Sequence, residues 1–325
     1  MEPNEWVFPA TVKRAVEELA TPGAQVVAGG TNVSDLMRLG HESGPRLIDL
    51  SRLELTGIQP RETTTLIGAL VSNTTVANSA HLKKLFPALS AAILSGASQQ
   101  IRNVATVGGN LMQTTRCSYF RASDWPCNRR TPGSGCTAIN APLSDHAILG
   151  TSSQCIATNP SDMSVALLAL NAKVLFKNRD RDYSLPISEF YPVPGATAHV
   201  TTCLPENALI TWVELEHDPL FEVSGYIKLR GRASYEFASA SVAAAIAMKN
   251  GLIQRVSIAV GGVATIPWRD IEAEQILIGQ QPTRQNIDLY CDHLLDAAKP
   301  CIETQHKIPL VRGAIHKLIT RLAEQ

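Results

Sequence analysis

Four cysteines fall in a stretch with no other visible means of holding itself together. Cys117, Cys127, Cys136 and Cys155 lie between Thr106 and Asp162, a segment that opens on the turn Gly108-Gly109-Asn110 and closes on Pro160-Ser161-Asp162. The 325-residue chain has seven cysteines in all. The segment is rich in Gly, Pro, Ser, Thr and Asn and lacks sustained apolar periodicity, so it reads as loop. A loop of this length inside a compact chain is uncommon and, where present, is usually functional. A hydrophobic core does not explain it, and the four thiols are the obvious means.

The cysteines are separated by nine, eight and eighteen residues. No Cys-x-x-Cys pair occurs, which weighs against zinc-ribbon spacing. Two disulfides would suit a secreted chain, yet seven cysteines in 325 residues is far from a disulfide-dense scaffold. An iron–sulfur cluster needs thiolates whose sulfurs accept backbone hydrogen bonds. Gly133, Ser134 and Gly135, just before Cys136, let N–H groups come close. On spacing alone, cluster, zinc and disulfides all stay open. His146, between the third and fourth cysteines, reads as a structural histidine.

Composition bounds the rest. The length allows two or three domains, and 45% apolar residues suffice for a sizeable core. Lys+Arg and Asp+Glu are 29 each, so the chain shows no electrostatic footprint for nucleic acid. Charged residues are 18%, below the usual quarter, which fits a subunit with covered surface. The longest apolar run, Met163–Phe176, is broken by Asn171 and Lys173, so no membrane span is expected. The opening stretch carries Glu2 and Glu5 and no apolar core, so no signal peptide is expected. No H-E-x-x-H, P-loop or G-x-S-x-G occurs.

Read in order, the chain predicts a helix over Thr11–Ala20, a strand over Gln25–Ala28, the turn Gly29-Gly30-Thr31-Asn32, a helix over Ser34–Leu39 and a strand over Arg46–Leu50. Strand–glycine turn–helix is the arrangement that offers backbone N–H groups to a phosphate. The G-x-G-x-x-G spacing of the dinucleotide fingerprint is absent. A strand at Leu66–Leu70 and helices at Ala77–Leu85 and Phe86–Ser95 precede a second small-residue turn, Ala105–Asn110, able to face the first across one crevice. Beyond the cysteines come a Ser161-capped helix to about Leu170, a strand at Lys173–Phe176, a charged turn at Asn178–Asp182 and an irregular stretch at Ile187–Tyr191. From about Leu204 we expect a separate α+β unit. Its strands are Leu209–Leu215, Tyr226–Arg232 and a hairpin, Ser239–Met248 with Arg255–Val260, turned at Asn250-Gly251. Its helices are Ile271–Ile278, Ile287–Ala298 and Leu310–Leu322, and Trp268 reads as a packed anchor.

Five motifs now carry a resemblance: AGGTN at 28–32, TVGGN at 106–110, NPSDM at 159–163, YIKLRGRASYEFA at 226–238 and GGVATIPWR at 261–269. Together they resemble the FAD-binding (medium) subunit of the xanthine oxidase family of molybdenum hydroxylases, over essentially the whole chain. The cysteine pattern R-C, P-C-N-x-R, P-G-S-G-C and C-I-A-T-x-P-S-D resembles a narrower branch. That branch is the [4Fe-4S]-containing flavin subunit of bacterial periplasmic aldehyde oxidoreductases. The flavin subunit of 4-hydroxybenzoyl-CoA reductase is the nearest confusable relative.

The resemblance implies an α+β fold: a two-subdomain FAD-binding unit, vanillyl-alcohol-oxidase-like, closed by a C-terminal α+β domain. The implied divisions are 1–55, 56–204 with an iron–sulfur insert at 111–158, and 205–325. FAD would meet Val26, Val27, Ala28, Gly29, Gly30, Thr31, Asn32 and Val33 on one turn. From the second turn it would meet Asn103, Thr106, Gly109 and Asn110, and from further on Asp162 and Lys228. Asn159 stands where relatives often have His and is given no role. Cys117, Cys127, Cys136 and Cys155 match the ligands of a [4Fe-4S] cluster. The implied role is electron transfer, with no catalytic residue on this chain. Electrons would come from a [2Fe-2S] small subunit beside a molybdenum-cofactor large subunit and leave to an external acceptor. The branch further implies assembly in the cytoplasm and export to the periplasm as a passenger of its partners. A stand-alone FAD oxidoreductase with a structural zinc and a non-enzymatic assembly module without flavin are the alternatives.

Overall fold

The computed structural model describes residues 5–41 and 44–325. Residues 1–4, including the Glu2 of the signal-peptide reading, and residues 42–43 lie outside the described residues. Three sheets carry the chain. The first is parallel, with β1 (Glu5–Val7), β2 (Gln25–Val27) and β3 (Arg46–Asp49) in the order β1-β3-β2. Its crossover helix, Val12–Leu19, is capped by Thr11, whose Oγ1 accepts the Arg14 N–H at 3.2 Å. Ala15 and Val16 pack with Ile48, Leu50, Leu53 and Leu55. A short helix, Val33–Arg38, follows the first glycine turn.

The second sheet is antiparallel. It contains β4 (Ile58–Pro60), β5 (Thr64–Gly68), β6 (Lys173–Lys177), β7 (Asp182–Pro186) and β8 (Leu209–Glu216) in the order β4-β5-β8-β6-β7. Here the structure departs from the sequence reading. β8 was expected with the C-terminal elements, but it lies between β5 and β6. A strand's own pattern states that it is half buried, not which distant strand it joins. β4 and β7 lie outside the expected strands; each is a polar edge strand ending in proline, with no apolar run to betray it. The expected helix 77–85 is two pieces, Asn73–Asn78 and Ala80–Leu85, because Ser79 caps the second by accepting the Leu82 N–H. Helices Pro87–Ser95 and Gln99–Val104 lead to the second glycine turn.

The third sheet is β11-β10-β9, from β9 (Ser224–Leu229), β10 (Ala240–Lys249) and β11 (Leu252–Gly261). Its hairpin turns at Asn250-Gly251, with φ of 54° and 76°, the double left-handed turn that suits strand twist. Alternate residues serve two cores. Val242, Ala244, Ile246, Ile258 and Val260 pack on Val311, Ile315, Leu318 and Leu322 of the C-terminal helix Lys307–Ala323. Ala243, Ala245 and Ala259 face the core of helix Asp162–Ala169. Helix Ile271–Glu274 is shorter than expected, and Arg284–Leu294 supports the C-terminal helix.

The cysteine segment is not bare loop. It holds two one-turn helices, Ser118–Arg121 and Thr137–Asn140, and an isolated antiparallel bridge between Cys127 and Cys136. Such turns are too short to leave an apolar period. Arg130 ties the segment by donating to the carbonyls of Tyr119, Phe120, Ala122, Ser123 and Trp125.

Candidate flavin crevice and thiol cavity

Two adjoining cavities, about 1000 and 400 Å³, share Thr31, Asn32 and Gly109 and form one elongated crevice. The narrower end is made by the first glycine turn. β2 feeds Ala28–Asn32, and Gly30 takes φ +70°, with open space where a side chain would stand. Gly29 does the opposite job: a Cβ there would meet the Val104 carbonyl oxygen at 2.1 Å. The two turns, separated by about 80 residues, thus touch backbone to backbone, which only glycine permits. In the second turn the Thr106 Oγ1 accepts the Gly109 N–H at 3.2 Å, starting the one-turn helix Val107–Leu111. Asn110 Oδ1 accepts from Ser161 Oγ at 2.7 Å and from Gln113 Nε2 at 2.8 Å. Its amide N–H groups are therefore the side available to a ligand.

At the wider end, Asp162 and Lys228 form a 2.7 Å pair with side chains only 10% and 3% exposed. The Tyr226 hydroxyl donates to the other Asp162 oxygen at 2.5 Å. Burial, with Asp162 beside it, pushes the Tyr226 pKa well up, so the phenol keeps its proton. Lys228 also donates to the Ser95 carbonyl at 3.3 Å. This pair bridges the helix start at Asp162 and β9, holding the middle and C-terminal parts against one crevice.

The structure gathers most of the expected flavin residues. Val26, Ala28, Gly29, Gly30, Val33 and Thr106 line the narrow part, Thr31, Asn32 and Gly109 both parts, and Asn110, Asp162 and Lys228 the wide part. Two do not line it. Val27 faces the core, because side chains alternate along β2. Asn103 lies outside the crevice, where its Oδ1 accepts from Thr74 Oγ1 at 2.7 Å. Sequence reasoning assigned no role to the arginines on the wall: Arg38, Arg102, Arg116, Arg121 and Arg232. Arg116 donates to Asn32 Oδ1 at 3.1 Å and stacks 5.3 Å from the Phe237 ring centroid. Burial, then Arg121, pulls the Arg116 pKa down, with Asp35 opposing. Scattered arginines give no periodic signal; Arg116 and Arg232 stand inside quoted motifs without a role of their own.

The four cysteines come together. They line a second, small cavity with Thr115, Tyr119, Phe120, Pro126, Arg129, Ala138 and Ala157. Cys117 and Cys136 each sit at the N-cap of a one-turn helix. N–H groups of Tyr119 and Phe120 face the first sulfur, and those of Ala138 and Ile139 face the second. Ala157 N–H reaches Cys155 Sγ at 3.5 Å, and Arg129 reaches it at 3.8 Å. Burial pushes the Cys117 thiol up to about 11 and raises Cys136 as well. Among the described residues no group of three His, Cys, Asp or Glu side chains is arranged to hold a single metal ion. The enclosed space is about 10 Å³, so any group seated there requires the thiols to turn back from one another. Four thiols with backbone N–H groups aimed at their sulfurs are a donor set that a thiolate-bound metal group would use.

One strip of backbone separates the two spaces. Arg116 and Ser118 line the crevice, while Thr115, Cys117 and Tyr119 line the thiol cavity. The segment also grips the first subdomain: Arg121 pairs with Asp35 at 2.7 Å, His41 bonds the Arg121 carbonyl at 3.0 Å, and Leu36 packs among the cysteines.

Residues 2–215 match the family model described as the FAD binding domain in molybdopterin dehydrogenase. The chain belongs to this family, the FAD-binding subunits of the molybdenum hydroxylases. Residues 225–308 match the CO dehydrogenase flavoprotein C-terminal domain. The chain is 40% identical over 313 residues to the aldehyde oxidoreductase FAD-binding subunit PaoB of Escherichia coli K12, covering 96% of this chain and 95% of that one. It is 26% identical over 297 residues to the xanthine dehydrogenase FAD-binding subunit of Escherichia coli O157:H7, covering 90% and 85%. A chain of the Cu,Mo-CO dehydrogenase shares the fold, with a TM-score of 0.77 at 20% identity, covering 100% of this chain and 99% of that one. The α+β flavoprotein fold and an oxidoreductase subunit are thereby established. None of these descriptions names an iron–sulfur group.

Proposed function

We propose that this chain is the FAD- and [4Fe-4S]-containing electron-transfer subunit of a molybdenum-dependent aldehyde oxidoreductase. It receives electrons from a partner's [2Fe-2S] centres and delivers them to an external acceptor, beside a molybdenum-cofactor large subunit. The observation that carries this reading is the shared wall: crevice and thiol cavity lie on opposite sides of residues 115–119. The 40% identity to an aldehyde oxidoreductase FAD-binding subunit supports the substrate class. FAD, when bound, takes two electrons and also exchanges them singly, which suits a junction between two-electron and one-electron carriers. The chain's own work is to hold the cofactors. Gly29 and Gly30 would bring backbone to the diphosphate, Thr106 and Asn110 would face the flavin and ribityl chain from the second turn beside Gly109, and Asp162–Lys228 would fix the wide end. Cys117, Cys127, Cys136 and Cys155 would hold the cluster.

In this reading the first two parts, 1–55 and 56–204, keep the flavin between them, with β8 added to the second. The C-terminal part closes the crevice. We place the working complex in the periplasm, carried by partner subunits. Fractionation of cells lacking those partners should leave this chain in the cytoplasm; periplasmic chain there would contradict the passenger model. The visible spectrum of the purified chain, with iron and acid-labile sulfide analysis, tests the cofactors. Flavin bands on a broad iron–sulfur absorption, with about four irons per chain as a four-thiolate cluster requires, are expected. Flavin alone with zinc would favour the stand-alone alternative, and neither cofactor would leave only an assembly module.

A further inference from the structure

His146 was read from the sequence as structural, and its surroundings say more. It is buried, only 1% exposed. The Leu143 backbone N–H donates to its Nδ1 at 2.8 Å. That bond occupies the Nδ1 lone pair, so in the neutral ring the proton sits on Nε2. Nε2 lies 3.3 Å from Cys117 Sγ. Tyr119 stacks on the ring with planes 15° apart, and its hydroxyl is anchored to the Ala141 carbonyl at 2.8 Å. Ring, tautomer and direction are thus all fixed.

We infer that His146 is a positioning residue that donates an Nε2–H hydrogen bond to the Cys117 sulfur and thereby tunes the group those cysteines hold. The inference rests on the cluster reading above. Cys117 receives backbone N–H groups from Tyr119 and Phe120, and the imidazole adds a donor from a different element. Hydrogen bonds to cluster sulfurs favour the more negative, reduced form and raise the reduction potential. His146 therefore sets the cluster higher in potential than the cysteines and backbone alone would.

The test uses the full chain, prepared anaerobically, as wild type, His146→Phe and His146→Gln. Phenylalanine keeps the stack on Tyr119 but donates nothing; glutamine restores an N–H donor. With iron, sulfide and FAD contents equal across the three, the cluster midpoint potential should fall in His146→Phe and return toward wild type in His146→Gln. A wild-type potential in a fully loaded His146→Phe would overturn the inference and leave the cluster reading standing. Wild-type chain without iron and sulfide would overturn both. Should the phenylalanine variant not fold, pulsed EPR of the reduced wild type grown on ¹⁵N-histidine decides. One weakly coupled histidine nitrogen supports the bond, and none refutes it.

Discussion

Gly30 holds φ +70° with empty crevice where a side chain would point. A β-branched residue in that conformation costs about 1 kcal/mol or more in strain and fills the cradle. Gly30→Val should purify folded with little flavin, read as the ratio of flavin to protein absorbance; full FAD occupancy would remove the turn from the site. Asp162→Asn leaves the buried Lys228 ammonium without its counter-charge. Breaking such a pair costs about 3–5 kcal/mol, so the variant should lose both thermal stability and flavin, while exposed-pair variants such as Lys177→Gln should not. Lys307 is fully buried and, among the described residues, donates to the carbonyls of Ser239 and Gly262. Burial lowers its pKa to about 8, beneath its ordinary range. A base with a lowered folded-state pKa is a burden while charged in both states. Folding therefore gains stability as pH rises from 8 toward the unfolded value near 10.5, by up to about 3 kcal/mol through linkage. Denaturation midpoints against pH should show this rise, and Lys307→Met should flatten it.

Elements were legible where the signal was local. The two glycine turns, the Asn250-Gly251 hairpin and the C-terminal helix all announce themselves within a few residues, and the structure has each of them. What escaped depends on partners far away in sequence: β8's place between β5 and β6, the polar edges β4 and β7, and the arginine wall. Val27 and Asn103 show the limit within a motif, since a matched stretch does not say which of its side chains turn inward. The cysteine segment is the element most exposed to failure, because so many of its carbonyls lean on Arg130. Arg130→Ala deprives five carbonyls of their donor, and in the proposed reading Cys136→Ser removes one cluster ligand. Both should open residues 118–136 to limited proteolysis well before global unfolding. Cleavage no faster than in wild type would show that the segment is held by something else.

At the scale of the molecule, the chain presents a crevice that spans three sheets, in which Asp162 and Lys228 neutralise each other. Isolated chain should show no aldehyde-dependent flavin reduction, and mixing with its partner subunits should restore it. Rapid reduction of the flavin by an aromatic aldehyde in the chain alone would overturn the electron-transfer reading. The strip at 115–119 has a further consequence, for maturation. Its odd residues belong to the thiol cavity and its even ones, Arg116 and Ser118, to the crevice wall, with Arg116 reaching across to Asn32. In the reading proposed above, a cluster on the thiols would clamp the odd side of that strip and so help to set the flavin wall on its even side. On that reading loading is ordered: metal first, flavin second. Cells starved of iron should accumulate this protein colourless, and supplying FAD afterwards should not turn it yellow until the iron is restored.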